Sequence, residues 1–518
     1  MESLHKGKTA PLLFTSRKIT DMRKCPAIVL SILIAAGCTM GPDYQRPDVP
    51  TSDSWRLAPG TSESIANMPW WELFKDEELQ KLIHTALQEN LDMQVAAAAV
   101  EEFNNQLVIA KFDLAPTLGY SGDASYYHST SNGLNTGGGS VLPGQAGGKS
   151  GRGNLDFSRE SFTGGIKWEI DLWGRIRRKV EATRAELFAR VENQRGVVIA
   201  LVSEVAQSYF TLRALDLQVQ IAQRTLKVWN EAVRLSRSQY EHGYSSKLDL
   251  DRFEAEQAGT RAQLANLEQQ VIQAENQISV LLGHRPMAIP RGFALTEQPL
   301  PPEVPVGLPS SLLSQRPDIL EAEQKLVASN ANIGVAQAQR FPQFSINGGG
   351  GVAGFQVNSM GTGPFATAGV AGSLTGPLFN ATALGYEVGV ATAKEQQALA
   401  RYELAILNAF REVEDSLITI KMTREQREAQ EAQVASLKSA LNFADKRYRG
   451  GFASYLDVLT AQRDLFQAEL GLVSTHRLHL ASIVQLYKAL GGGWSPVQEG
   501  PPGSEPNEPY SMQSDLKG

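Results

Sequence analysis

Tyr448-Arg449-Gly450-Gly451-Phe452-Ala453-Ser454-Tyr455-Leu456-Asp457 is a glycine turn set between two long helical patterns, and it occurs twice. Moved back by 208 positions it becomes Tyr240-Glu241-His242-Gly243-Tyr244-Ser245-Ser246-Lys247-Leu248-Asp249. Tyr, Gly, Ser, Leu and Asp coincide, and an aromatic residue stands at both Tyr244 and Phe452. Self-similarity at a fixed spacing marks a duplicated structural unit. The unit is a helical hairpin.

The hairpin arms are long. Helical periodicity covers 173–240 and 381–448, which at 1.5 Å per residue is about 100 Å each. The returning arms cover 246–282 and 454–490. In the second, Leu459, Phe466, Val473, Leu480 and Tyr487 recur every seven residues, beside Leu456, Leu470 and Val484. That is a coiled-coil seam. The sister arm carries Ala255, Ala258, Ala262 and Ala265, small residues that let helices approach closely. No globular core demands helices of this length, so a tube or rod is expected.

Upstream of each hairpin stands another helical pattern, at 76–114 and 312–340, matched at an offset of 226 by Leu87/Leu313, Asp92/Asp318, Asn104/Asn330 and Pro116/Pro342. Each ends at its proline, and the period then changes from 3.6 to 2. Four stretches alternate apolar with small or polar residues: Leu118 to Tyr126, Phe162 to Leu172, Phe344 to Val352 and Ala366 to Leu374. Segments of this kind match the strands of an outer-membrane barrel. Four strands cannot close a barrel, since about eight is the practical minimum. An open edge in lipid would leave backbone groups unpaired at several kcal/mol each. Strands that span a bilayer here must therefore be shared among several chains; two half-buried hairpins packed on helices are the soluble alternative. The fall in offset from 226 to 208 places about 18 extra residues of the first half in the Gly/Ser/Asn-rich loop 129–153.

The N-terminus carries a secretory signal: Arg23 and Lys24, an apolar run over 26–36, then Ala35-Ala36-Gly37-Cys38. Translation from Met22 would retain all of it. Removing residues 1–37 deletes six basic and two acidic residues and takes the net charge from −6 to −10. An acidic chain gives no electrostatic case for nucleic acid. Cys25 leaves with the signal, so no intrachain disulfide is possible. No apolar run is long enough for a membrane-spanning helix. After the cysteine come Gly41-Pro42-Asp43-Tyr44-Gln45-Arg46-Pro47 and then Trp70-Trp71-Glu72-Leu73-Phe74-Lys75-Asp76.

With a cysteine placed as in a lipobox, these two motifs and the paired hairpin turns, the chain resembles the outer-membrane efflux lipoproteins of the TolC-like superfamily, in their NodT branch. The resemblance covers nearly all of 38–491. It implies a mainly α fold with a β-barrel part: a duplicated unit of long coiled-coil helices with two transmembrane strands per half, assembled as a homotrimer around a twelve-stranded barrel. It further implies lipidation at Cys38, residence in the outer membrane of a Gram-negative bacterium with a large periplasmic part, and service as passive exit duct for small molecules. The partners it implies are outer-membrane lipid, a periplasmic adaptor (membrane fusion) protein and an inner-membrane transporter of the resistance-nodulation-division type. An exit channel for type I protein secretion and a non-channel coiled-coil scaffold are the alternatives.

On this basis the chain divides into a signal peptide (1–37), a lipidated extended segment (38–75), a first repeat (76–285), a proline-rich linker (286–311), a second repeat (312–491) and a disordered tail (492–518). The resemblance places adaptor-docking tips at Gly243, Gly450 and Gly451, and a periplasmic gate at Tyr448, Asp457 and Asp249; Leu456, beside Asp457, offers an apolar ring as the alternative gate. The residues themselves leave the aspartates a second role, as acids favoured by the dipole at a helix start. Thr460 stands where related channels often carry a second acid, and Ala453 where some carry a basic partner. Three copies of Asp457 about an axis would repel one another and attract cations.

No enzyme, cofactor or metal is expected. There is no Walker loop, Gly-x-Ser-x-Gly, His-Glu-x-x-His or cysteine cluster. The glycine run 348–351 lies in an alternating strand and lacks the Lys-Ser/Thr of a phosphate loop. His476 and His479, three apart on a helix, have no evident carboxylate or thiol partner and are expected at the surface or facing a pore.

Overall fold

The computed structural model describes residues 39–50, 54–57, 70–130, 154–299, 309–357 and 360–492. The expected signal peptide, Cys38, most of the glycine-rich loop, part of the proline-rich stretch and nearly all of the expected tail lie outside the described residues. The chain forms two compact units. One comprises Val108–Ala182 and Asn330–Thr392 with the stretch 39–43; the other comprises Tyr44–Leu107, Thr183–Ser329 and the chain from Ala393 onward.

In order, the elements are α1 (Glu77–Glu89), α2 (Leu91–Phe112), β1 (Thr117–Thr130), β2 (Asn154–Ile170), α3 (Arg175–Glu241), α4 (Lys247–Leu281), α5 (Leu312–Gln315), α6 (Pro317–Ala338), β3 (Gln343–Val357), β4 (Met360–Thr375), α7 (Ala381–Arg449) and α8 (Tyr455–Ala489).

The first unit is built on one antiparallel sheet in the order β1-β2-β3-β4. Its register puts the four expected apolar sets on a single face: Leu118 opposite Ile166, Ile166 opposite Gly348, Gly348 opposite Val370. That face is bare, with Leu118, Tyr120 and Val370 each more than 80% exposed. The other face carries Ser121 hydrogen-bonded to Thr163 (2.9 Å) and Ser345 to Ser373 (2.7 Å). β1 and β4 are its two open edges. Toward the β1–β2 and β3–β4 connections the strands run further than the alternation indicates, past the point where the apolar phase changes face, whereas β2 stops at Ile170, short of the expected Leu172.

The second unit is helical. The buried seam of α8 is the one expected: Leu459, Phe466, Val473, Leu480 and Tyr487 are all buried. Trp70 stacks on Tyr487 (5.4 Å, 7°), and Phe74 packs on Phe210 (5.3 Å), so the Trp-Trp motif is core. One window of α3 is apolar enough to cross a membrane by composition, but 61% of it is buried in the protein, as a packed helix requires. On α4, Ala255, Ala258, Ala262 and Ala265 are exposed, flanked by the exposed Leu248 and Ile272. These six positions follow a heptad, a seam that the single chain leaves unpartnered.

Two expectations are corrected. The patterns over 76–114 and 312–340 are not continuous helices; each breaks, at Asn90 and at Arg316, positions 226 apart. Asn90 closes α1 in an extended conformation and caps α2, its Oδ1 accepting from Met93 N (3.1 Å), while its Nδ2 donates to Leu281 O (2.9 Å). Arg316 precedes Pro317, whose ring pushes the preceding residue out of the helical region. Its buried guanidinium donates to Asp318, Glu412 and Ala489 O. Leu281 and Ala489 are 208 apart, so both breaks are anchored on equivalent carbonyls of the returning arms.

The second correction concerns His479, which is 2% exposed rather than at a surface. It lies on the face of α8 that packs against α7, with Nδ1 2.9 Å from the Thr423 hydroxyl. Burial, with Arg427, Arg424 and His476 nearby, pushes its pKa down to about 4. The unfolded chain therefore binds a proton below about pH 6.5 that the folded chain refuses until about pH 4. Stability should fall as pH drops through that window, by about 2 kcal/mol at pH 5 for this group. Thermal melts by circular dichroism at pH 7 and 5 check this; His479→Gln should shrink the difference.

Candidate functional site

Both hairpin turns close in the same way. Gly243 (φ 77°) and Gly451 (φ 75°) take the left-handed conformation. Gly243 N donates to Tyr240 O and Tyr244 N to Gln239 O; Gly451 N donates to Tyr448 O and Phe452 N to Arg447 O. This paired closure satisfies helix-end carbonyls and needs a residue free of Cβ strain at the turn. Gly283 and Gly491, also 208 apart, end α4 and α8 identically, with φ 76° and 72°.

The turns expose their aromatics: Tyr244 and Phe452 are 85% and 81% exposed. Just behind them, Tyr448 meets Tyr455 edge-on (4.4 Å), Tyr455 meets Phe253 (4.6 Å), and Phe253 meets Trp229 (6.4 Å). Gln239 Nε2 donates to the Tyr448 hydroxyl across 3.4 Å. The stack joins the two hairpins and leaves Tyr448 half-buried. Burial, then Tyr448 and Asp445, push the Tyr455 phenol above its usual range.

The two aspartates differ. The Ser246 hydroxyl donates to Asp249 Oδ2 (2.7 Å) and its Oγ accepts from Asp249 N (3.2 Å), so Asp249 is part of the cap of α4. Ser454 caps α8 by accepting from Leu456 N (3.2 Å). The Asp457 carboxylate, exposed in the first turn of α8, has no hydrogen-bond partner among the described residues. Leu456 is exposed beside it.

A second arrangement holds the segment that follows Cys38. Met40 N donates to Trp173 O (3.0 Å), and Arg178 binds Met40 O and Asp43 Oδ1 (2.7 Å). Further along, Tyr44 and Arg46 both bind the Glu323 carboxylate, at 3.3 and 2.9 Å. Burial and Glu323 push the Tyr44 phenol up. A Cβ on Gly41 would lie 2.4 Å from Gly334 Cα, so only glycine allows this approach. Each residue of the Gly-Pro-Asp-Tyr-x-Arg motif named here has its own seat, and Thr39 rests against Gly174, next to Trp173.

Sequence reasoning named Tyr448, Leu456, Asp457, Asp249 and the turn glycines. It missed Trp229, Phe253 and Tyr455, which lie far apart in sequence and read as ordinary core, and it noted Tyr244 and Phe452 without assigning them a role. No three His, Cys, Asp or Glu residues converge as metal ligands among the described residues.

A family model described as outer membrane efflux protein matches residues 82–284 and 308–492. The chain is 33% identical over 476 residues to the probable efflux pump outer membrane protein TtgC of Pseudomonas putida, covering 90% of this chain and 95% of that one. It is 32% identical over 479 residues to the cation efflux system protein CusC of Escherichia coli, covering 91% of this chain and 100% of the relative. Among solved structures, that of CusC superposes with a TM-score of 0.74 (32% identity, 88% of this chain, 100% of the other). The open MtrE outer membrane channel of Neisseria gonorrhoeae superposes at 0.73 (30% identity, 88% and 98%).

Proposed function

The chain belongs to the outer membrane efflux protein family, and from that premise we propose that three copies form the outer-membrane exit duct of a tripartite efflux pump. The observation that carries this is the four-stranded sheet with one bare apolar face and two open edges. Its apolar face suits lipid, and three copies edge to edge give twelve strands and leave no edge unpaired. The exposed alanine seam of α4 supplies a helical contact between subunits. A duct needs no catalytic group; it passes what its pump delivers.

In this reading the chain comprises the lipidated segment 38–75, repeats 76–285 and 312–491 and the linker 286–311. Lipidation falls on Cys38, and the seating of Thr39 beside Trp173 supports it, since an interfacial tryptophan and an acyl chain belong at the same depth. The adaptor docks on the tips at Gly243, Gly450 and Gly451. Tyr244 and Phe452 are exposed aromatic anchors of the kind that dominate interface energetics. A resistance-nodulation-division transporter supplies the energy. The gate is assigned to Asp457 and Leu456, with Tyr448 fixing the arms behind them; the bonding of Asp249 favours its cap role.

Planar-bilayer recordings of the mature protein test the reading. Asp457→Ala should reduce the cation preference of the current severalfold by removing a ring of carboxylates that attracts cations. Absence of conductance from both proteins would leave the scaffold reading.

A further inference from the structure

A row of aromatic rings crosses all four strands at the end of the sheet where β1 meets β2 and β3 meets β4. Tyr127 stands opposite Phe157 with ring centroids 6.4 Å apart; Phe157 stacks on Phe355 (6.5 Å, 28°), and Phe355 meets Phe365 edge-on (6.3 Å, 87°). The register puts these four residues on the same face as Ser121, Thr163, Asn347 and Thr367. They are therefore on the polar face, not the lipid face. At the same level the lipid face turns polar, with His128 Nδ1 2.5 Å from Asp156 Oδ1 and Glu160 opposite Ala124.

The two faces thus exchange character at one height. A belt meant for lipid would lie on the other face, and the His128–Asp156 pair marks that level as outside the hydrocarbon. The exchange runs through unbroken register on β1, β2 and β3, and the register shift beyond Phe365, where β4 takes three residues for two of β3, brings Thr362 opposite Phe355. Ring faces remain open, with Tyr127 62%, Phe355 41% and Phe365 43% exposed. Cross-strand ring pairs would stabilise the sheet wherever they lay; what needs explaining is their position on the water-facing side.

We propose that this row, resting on the trimeric duct reading above, forms an aromatic collar inside the barrel that binds uncharged aromatic solutes on their way out. Three copies contribute twelve rings at one level of an otherwise polar lumen. Rings stack with aromatic solutes in offset or edge-on geometry, and Arg159, opposite Phe355 on the same face, sets a cation beside the rings that repels hydrated cations.

The test uses the mature protein in planar bilayers in the Asp457→Ala background, with 1-naphthol as blocker. The unmodified row should give concentration-dependent blockade of the potassium chloride current. Replacing Tyr127, Phe157, Phe355 and Phe365 together by serine should raise the unblocked conductance and weaken blockade by at least about tenfold, the change expected for one lost stacking contact. The single variants Phe355→Ser and Phe365→Ser, at exposed positions, decide the matter if the quadruple does not assemble; each should weaken blockade. Equal blockade in serine variants and unmodified row would overturn the collar and leave the duct standing. No current from any of the proteins would overturn the duct and the collar with it.

Discussion

Asp76→Ala is expected to destabilise the helical unit by about 3–5 kcal/mol, among the largest effects of any single substitution in the chain. The carboxylate is buried and accepts five hydrogen bonds. Oδ1 takes Glu78 N (3.1 Å) and Leu79 N (3.3 Å), capping α1; Oδ2 takes the Tyr209 hydroxyl (2.9 Å), Phe293 N (3.1 Å) and Gln298 Nε2 (2.6 Å). Alanine removes every acceptor at once, and a buried donor left without a partner costs its full desolvation. Asp76→Asn keeps one oxygen but turns an amide donor toward groups that are themselves donors, so it should cost about 1–3 kcal/mol. Thermal melts of the purified protein followed by circular dichroism measure both. Equal melting of Asp76→Ala and the unmodified protein would show that these bonds contribute nothing.

The second large effect separates two glycines of identical backbone shape. Gly243 and Gly283 have φ of 77° and 76° and end successive helices with the same hydrogen bonds. A Cβ on Gly243 meets nothing within 4 Å, whereas one on Gly283 would lie 2.4 Å from Glu89 O and 3.0 Å from its carbonyl carbon. Gly243→Ala should therefore cost only the left-handed strain, about 1 kcal/mol. Gly283→Ala adds a collision with backbone that cannot swing aside, and about 3–5 kcal/mol in total is expected. Denaturation of the two variants side by side checks this. Equal costs would mean that backbone conformation alone governs both sites.

Much of this fold was legible because duplication and period are written in the residues. The 208 spacing located both hairpins, the heptad of α8 named its buried seam, and the four alternations fell on one face of the sheet. What was not legible has a physical cause in each case. Apolar periodicity runs straight through Asn90 and Arg316, so it hides breaks made by capping and by a following proline. The strands were read too short because their apolar phase changes face near Tyr127 and Phe157, and a period count stops where its phase reverses. The stack of Trp229, Phe253, Tyr455 and Tyr448 joins residues from four helices, and no local pattern signals it. His479 was misplaced because its partner, Thr423, is 56 positions away. The glycine turns, by contrast, were plain, since a left-handed helix end leaves a residue signature.

The central claim is that four strands of one chain become a barrel only when shared. The measurement that tests it most directly is the mass of the detergent-solubilised mature protein, with particle images of the same sample. Three chains around a three-fold axis, with one continuous barrel, are predicted. A monodisperse single chain with its apolar sheet face and both strand edges covered within itself would contradict the account.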